Sequence, residues 1–367
     1  MTAAASLHHD SRRRPRYEID RMDVLFERLG SIGLITLNRP RALNAVTLAM
    51  AAALHERLAE WAADGAVQAV VIRGAGDRAF SAGGDIRALY DAGRSGGTLT
   101  REFYRAEYRL NHRIKTYGKP YVALIDGIVM GGGVGVSIHG SHRVVSERCR
   151  FAMPETGIGF FPDVGATWFL PRCPGEIGMY LGLTGERIGA ADMIYCGLAT
   201  HHVPSERFGS LIERLGGIDG AGGLNAAIRA FAAPVQDGVL ADLHPTIDRC
   251  FSAPSIEQIL ARLAAEGSDW SNNTADILRK KSPTSLKAAF RQLRLGARLT
   301  DFAAAMAIEY RICQHLMAGP DFHEGVRAVV IDKDQAPRWQ PASLAQVGDE
   351  AIDRLFAPLG EPDLRFS

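Results

Sequence analysis

Two clusters of small residues, Ser81-Ala82-Gly83-Gly84-Asp85 and Gly131-Gly132-Gly133, constrain this chain more than any other feature. Three consecutive glycines are costly inside a helix, so they imply a backbone that takes positive φ or approaches something closely. The apolar run from Tyr121 to Ile125, bounded by Pro120 and by Asp126-Gly127, suits a fully buried strand. A helix opening at Gly131-Gly132-Gly133 would aim free N–H groups at an acceptor. A further strand pair follows, and then a loop, FAMPETGIGFFPD from Phe151 to Asp163, with two carboxylates among aromatic residues.

Upstream, Val24 to Asn38 reads as a hairpin turning at Gly30-Ser31 on the edge of a sheet. Thr47 is the candidate N-cap of a helix running to about Ala63, and Gln68 to Arg73 is the next strand. Strand, helix and strand in that rhythm predict a right-handed βαβ unit with parallel strands. Arg101 to Tyr117 is an amphipathic helix with Phe103, Tyr104, Tyr108, Leu110 and Ile114 available for packing. Both glycine loops thus follow strands, at the end of a parallel sheet where ligands bind. Beyond Asp163 the pattern is mostly helical, and Gly216 to Gly223 marks a boundary. The expected division is a flexible lead-in at 1–22, a core at 23–215 and a mostly helical region at 216–367.

A formal net charge of +1 gives no electrostatic reason to expect nucleic acid or an anionic membrane as partner. No uninterrupted apolar segment is long enough to span a bilayer. The five cysteines are odd in number, widely spaced and without CxxC, which argues against a disulfide framework and for a reducing compartment. The Arg-rich start carries Asp10, Glu18 and Asp20 and lacks an apolar h-region, so it reads as a solvated lead-in. The expected location is the cytoplasm of a bacterial-type cell, or the mitochondrial matrix if the source is eukaryotic.

The spacing of Gly131 to Ser137 fits no GxGxxG fingerprint, no GxxxxGK[ST] occurs, and GxSxG fails around Ser137. His139 and His142 have HxxH spacing but no completing carboxylates, so packed or surface histidine is expected rather than a metal site. The positive signal is that Gly84 and Gly132 can each offer a backbone N–H to one carbonyl oxygen, donors held in place before charge develops. Plain tight turns are the competing explanation. Glu155 and Asp163 sit among Phe151, Met153, Phe160 and Phe161, where desolvation raises a carboxyl's pKa and makes it a better proton acceptor near neutral pH. Helix capping is the plainer role for Asp163. Glu107 would by default be a solvated residue.

The two glycine motifs resemble the paired oxyanion-hole motifs of the crotonase (enoyl-CoA hydratase/isomerase) superfamily. Lys119 to Gly140, Phe151 to Asp163, Ser282 to Lys287 (SPTSLK) and Asp321 to Lys333 (DFHEGVRAVVIDK) are similar to its thioester-hydrolysing branch, and the likeness runs from about residue 23 to the C-terminus. The resemblance implies an α/β fold, a crotonase-like spiral of ββα units with a helical C-terminal region. It implies an acyl-CoA thioesterase acting on a short 3-hydroxyacyl-CoA, 3-hydroxyisobutyryl-CoA first, in valine catabolism. The family's donors fall on Gly84 and Gly132, its catalytic glutamate on Glu155, as base or nucleophile, and its second carboxylate on Asp163. Its substrate-binding glutamate falls on Glu107, which would accept the substrate hydroxyl.

No metal and no cofactor is implied; CoA enters as part of the substrate, with Arg39, Lys281, Lys287 and Lys333 as candidates for its phosphates. The resemblance leaves the oligomeric state open: relatives commonly form trimers through their C-terminal helices, while the insertions between Glu206 and Trp270 can block or replace that interface. The alternative is an enoyl-CoA hydratase or isomerase. In the hydratases a second glutamate stands where this chain has Gly135, which argues against hydration. A non-catalytic module would lose the site carboxylates, yet Glu155 and Asp163 are present. The bulk of Ala166-Thr167-Trp168-Phe169 is expected to reshape the acyl pocket.

Overall fold

The computed structural model describes residues 23–94, 98–236, 238–361 and 363–366. The expected lead-in lies outside them. Strands β1 (Val24–Leu29) and β2 (Ile32–Leu37) form the antiparallel hairpin, and β2 then pairs in parallel with β3 (Ala69–Gly74). Between them runs helix α1 (Leu48–Ala63), with the Thr47 hydroxyl accepting from Met50 N at 3.2 Å. The large sheet continues in parallel through β5 (Tyr121–Ile125) and β7 (His142–Val145) to the short β9 (His201–His202).

Each of β3, β5 and β7 is followed at once by a strand of a second sheet. These are β4 (Ala79–Ser81), β6 (Ile128–Met130) and β8 (Arg150–Ala152), parallel and in the order β4-β6-β8. The expected pair after Gly133 is therefore not a pair: β7 and β8 belong to different sheets. The tight corner at Ser146-Glu147-Arg148-Cys149 breaks the hydrogen-bond ladder and sends the chain from one sheet to the other. Adjacency in sequence suggested pairing, and lateral partners were the stronger competitor.

The central strands β2, β3 and β5 are buried on both faces, so they read as nearly unbroken apolar runs rather than alternating ones. Alternate residues nonetheless serve different cores. Ile35, Leu37, Val70, Ile72, Ala123 and Ile125 face α1 and α3 (Leu99–Lys115), the latter following α2 (Ile86–Arg94), and α1 and α3 lie against each other. Ile32, Leu34, Val71, Val122, Leu124 and Val144 face the helices Phe208–Gly216 and Gly220–Phe231. Gly216 abuts the hairpin, its carbonyl accepting from Ser31 N at 2.9 Å. The division of the chain near residue 216 stays a proposal. All five cysteines are buried and free.

Candidate active site

Three loops leave the C-terminal ends of β4, β6 and β8, so the small sheet aims them at one cavity. The first, Ala82 to Asp85, runs beside Leu43–Val46. Ala82 N donates to Leu43 O at 2.9 Å, Val46 N to Gly83 O at 2.8 Å and Asp85 N to Val46 O at 3.0 Å. This alternation leaves the Gly84 N–H out of the ladder, and it donates to no acceptor among the described residues. Asn44 fixes the strip from behind, its amide donating at 2.9 Å to both Ala75 O and Ala79 O.

The second loop turns at Gly131, whose φ of 45° favours glycine, and opens the short helix α4 (Gly132–Gly135). A helix N-terminus leaves its first N–H groups unpaired, and Gly132 is such a position. A Cβ on Gly132 would stand 3.1 Å from Gly84 N and would collide with the Glu107 carboxylate. The two donors therefore face one small space, with Glu107 of α3 immediately beside them. The helix is a single turn, shorter than three glycines opening a longer helix would suggest.

The third loop carries the acids. Glu155 opens a single 3-10 turn (Glu155–Ile158), and its carboxylate lies 3.4 Å from where a Cβ on Gly131 would be. Its Oε2 is buried and makes no hydrogen bond among the described residues, and the same holds for Glu107 Oε1. Asp163 is buried and accepts at 2.8 Å from the hydroxyl of Tyr108, also on α3. The capping role fails for Asp163, because the N-cap of helix α5 (Ala166–Phe169) is Gly165 and no side chain caps it. Gly84, Gly132, Glu107, Glu155 and Asp163 line one cavity of about 100 Å³, walled by Phe103, Tyr104, Ile158 and Phe160. That is on the order of three waters' share of liquid, room for a short acyl group.

Burial pushes the Glu155 carboxyl well above its ordinary range, the Asp163 charge adds to this, and Lys281 opposes it. Burial likewise raises Glu107, helped by Asp163 and Glu155. Asp163 is pushed up to about 7 by burial, against the Tyr108 hydrogen bond. Like carboxyls sharing an apolar cavity divide their protons unequally, so acid and base coexist near neutral pH.

The remaining expectations divide. Arg39 pairs with Asp85 at 3.0 Å and Asp23 at 3.4 Å, and Lys287 with Glu257 at 2.9 Å, so each already faces carboxylates. Lys281 is half-buried beside Gly157, and Lys333 is exposed. The bulk at 166–169 points away from the cavity: Trp168 lies under the Arg172 guanidinium at 3.5 Å, and Thr167 accepts from Gln292 at 2.8 Å. Those side chains follow a helical turn that begins beyond Asp163, so their volume goes to the C-terminal helices. His139 and His142 diverge, His139 Nε2 meeting Val164 O and His142 Nε2 meeting Asn225 Oδ1, each at 2.7 Å.

Two partners escaped the sequence reading. Tyr108 was available only as a packing residue, yet it holds Asp163. Glu309 is a single acid on a buried helical stripe, Phe302, Ala305, Met306, Glu309, Tyr310 and Cys313, and that interruption was the available signal.

Residues 32–356 match the enoyl-CoA hydratase/isomerase family, and the chain belongs to it. Within that family it is 48% identical over 350 residues to the mitochondrial 3-hydroxyisobutyryl-CoA hydrolase of Danio rerio, covering 94% of this chain and 91% of that protein. The human protein of the same name is 44% identical over 351 residues, with the same coverage. Among solved structures, a carnitinyl-CoA dehydratase from Mycobacterium thermoresistibile is 40% identical with a TM-score of 0.89, over 94% of this chain and 98% of that one. The likeness over nearly the whole length establishes the crotonase fold.

Proposed function

We propose that this chain is an acyl-CoA thioester hydrolase that cleaves 3-hydroxyisobutyryl-CoA to the free acid and CoA, a step of valine catabolism. The relatives carry two kinds of name, hydrolase and dehydratase, and one observation separates them. A Cβ on Gly135 would stand 2.7 Å from Asn111 Nδ2 and 2.8 Å from Val164 Cβ, so a side chain there would require both of these residues to move. The space that a second glutamate needs is filled by protein, and the chain lacks the pair of glutamates that hydration around one water uses. Curated relatives at 44–48% identity over 94% of the chain bear the hydrolase name.

In this reading the thioester oxygen sits between the Gly84 and Gly132 N–H groups, which stabilise the oxyanion as it forms. Glu155 either takes a proton from water as the oxygen adds to carbon, or attacks directly to give an anhydride that water opens. In both routes the C–S bond breaks, CoA leaves as thiolate, and Asp163 relays the proton it needs. Glu107 accepts the substrate's 3-hydroxyl, a buried acceptor that penalises acyl chains lacking one. No cofactor takes part, and CoA is present only as part of the substrate. Lys281 and Lys333, neither paired with a carboxylate among the described residues, are candidate cations for its phosphates, and a homo-oligomer is the proposed assembly. The mitochondrial names of the curated relatives favour the matrix for a eukaryotic source, with the cytoplasm proposed for a bacterial one.

The deciding measurement is release of free thiol from 3-hydroxyisobutyryl-CoA beside 3-hydroxypropionyl-CoA, isobutyryl-CoA and crotonyl-CoA. Thiol release confined to the hydroxylated esters is expected. Loss of the enoyl absorbance of crotonyl-CoA without thiol release would overturn the proposal in favour of a hydratase.

A further inference from the structure

The turn that carries Asp163 is held by side chains from four other parts of the chain. Besides the Tyr108 bond to Asp163 itself, Gln292 donates to Pro162 O at 2.6 Å, and His139 Nε2 meets Val164 O at 2.7 Å. Glu309, on the helix Phe302–Met317, accepts from Gly165 N at 2.7 Å with one carboxylate oxygen and from Thr167 N at 2.9 Å with the other. Between these anchors the backbone is strained: Val164 has a φ of 51° and Gly165 one of 94°. A β-branched residue in the left-handed region persists only where its surroundings hold it there.

Glu309 is fully buried and pairs with no cation among the described residues. An acid in that setting is costly, and packing alone would be better served by an apolar residue. Burial pushes its carboxyl up to about 8, the Thr167 and Gly165 donors pull the other way, and the Asp163 charge adds to the push.

We propose that Glu309 is a positioning residue for the reaction: by holding the Gly165 and Thr167 N–H groups it keeps the strained Val164 turn closed and Asp163 aimed into the cavity. The inference rests on the hydrolytic reading above. Each N–H uses a different oxygen, so a glutamine at 309 has the right shape but sets an NH2 against one of the two donors. The nearest acid in the reaction then shifts without any contact to substrate being removed.

The test is turnover of 3-hydroxyisobutyryl-CoA by the wild-type chain, Glu309→Gln, and Glu309→Gln combined with Val164→Gly, with thermal midpoints measured alongside. Glu309→Gln is expected to lower kcat roughly tenfold or more while KM stays within about twofold, since a misplaced group costs the chemical step rather than binding. Val164→Gly removes the cost of left-handed φ and is expected to return about a third or more of the lost rate in that background. If Glu309→Gln does not fold, Glu309→Asp, which keeps a carboxyl group but draws it back by one methylene, carries the same expectation. A variant with kcat near wild type overturns the inference even if it melts earlier, and so does a loss that Val164→Gly leaves untouched. Wild-type protein that releases no thiol would instead sink the hydrolytic reading, so the two failures are told apart.

Discussion

The two sides of the cavity are built on different principles. The donor side, Gly84 and Gly132, is held chiefly through the main chain: a short strip hydrogen-bonded to Leu43–Val46 and backed by the Asn44 amide, and a positive-φ Gly131 opening one helical turn. The acid side, Glu155 to Thr167, is held chiefly by side chains that arrive from far along the chain, Tyr108, His139, Gln292 and Glu309. The donors must be in place before charge develops, and main-chain geometry does that with little freedom to lose. The acids must change protonation as the reaction proceeds, and side-chain partners can tune that.

The largest effect expected from disturbing either side is Glu155→Gln, which keeps shape and removes basicity. Turnover should fall by about a thousandfold or more, with CoA-ester binding retained, as measured by single-turnover thiol release and by calorimetry. Retained turnover would take Glu155 out of the reaction. Gly132→Ala attacks the donor side by driving a Cβ into the Glu107 carboxylate. A loss of roughly a hundredfold in kcat is expected, comparable to deleting one oxyanion donor. A variant that turns over normally would mean that the added Cβ is accommodated without moving the Gly132 N–H or Glu107 out of the cavity geometry.

Glu107 touches both sides, and its removal tests recognition rather than rate. In Glu107→Ala the preference for 3-hydroxyisobutyryl-CoA over isobutyryl-CoA should narrow by roughly tenfold or more, read as the ratio of kcat/KM values. Unchanged selectivity would free Glu107 of the hydroxyl. The smallest effect belongs to Tyr108→Phe. The Tyr108 hydrogen bond lowers the Asp163 carboxyl, which burial has pushed up to about 7, so removing it lets that value climb further. The limb of the rate-against-pH curve set by Asp163 should move to higher pH by about one unit or less, with a rate loss of severalfold at neutral pH. A limb that stays in place would show that Asp163 does not titrate in the rate-determining step.

This contrast also sets how much was legible beforehand. The donor loops were readable because glycine clusters after apolar runs report a local need, positive φ or close approach, that neighbouring residues alone create. Glu155 and Asp163 could be named from their apolar surroundings in sequence, although Asp163 was equally readable as a cap. The pairing of β7 with β8 and the pocket role of residues 166–169 both go astray for one reason. Each depends on which distant groups compete for the same strand edge or volume.

What the sequence by itself determined is the local grammar: the hairpin, the buried strands, the Thr47 cap and the two loops with an N–H to spare. These follow from dihedral limits, propensity and side-chain period, which act over a few residues. The tertiary structure alone decided that β4, β6 and β8 share a sheet and so deliver three loops to one cavity. It also decided that Asn111 and Val164 close the space at Gly135, and that Glu309 reaches the turn after Asp163. Those outcomes rest on packing and hydrogen bonds between residues far apart in the chain, where the winning partner is settled only by the whole set of competitors present in the folded molecule.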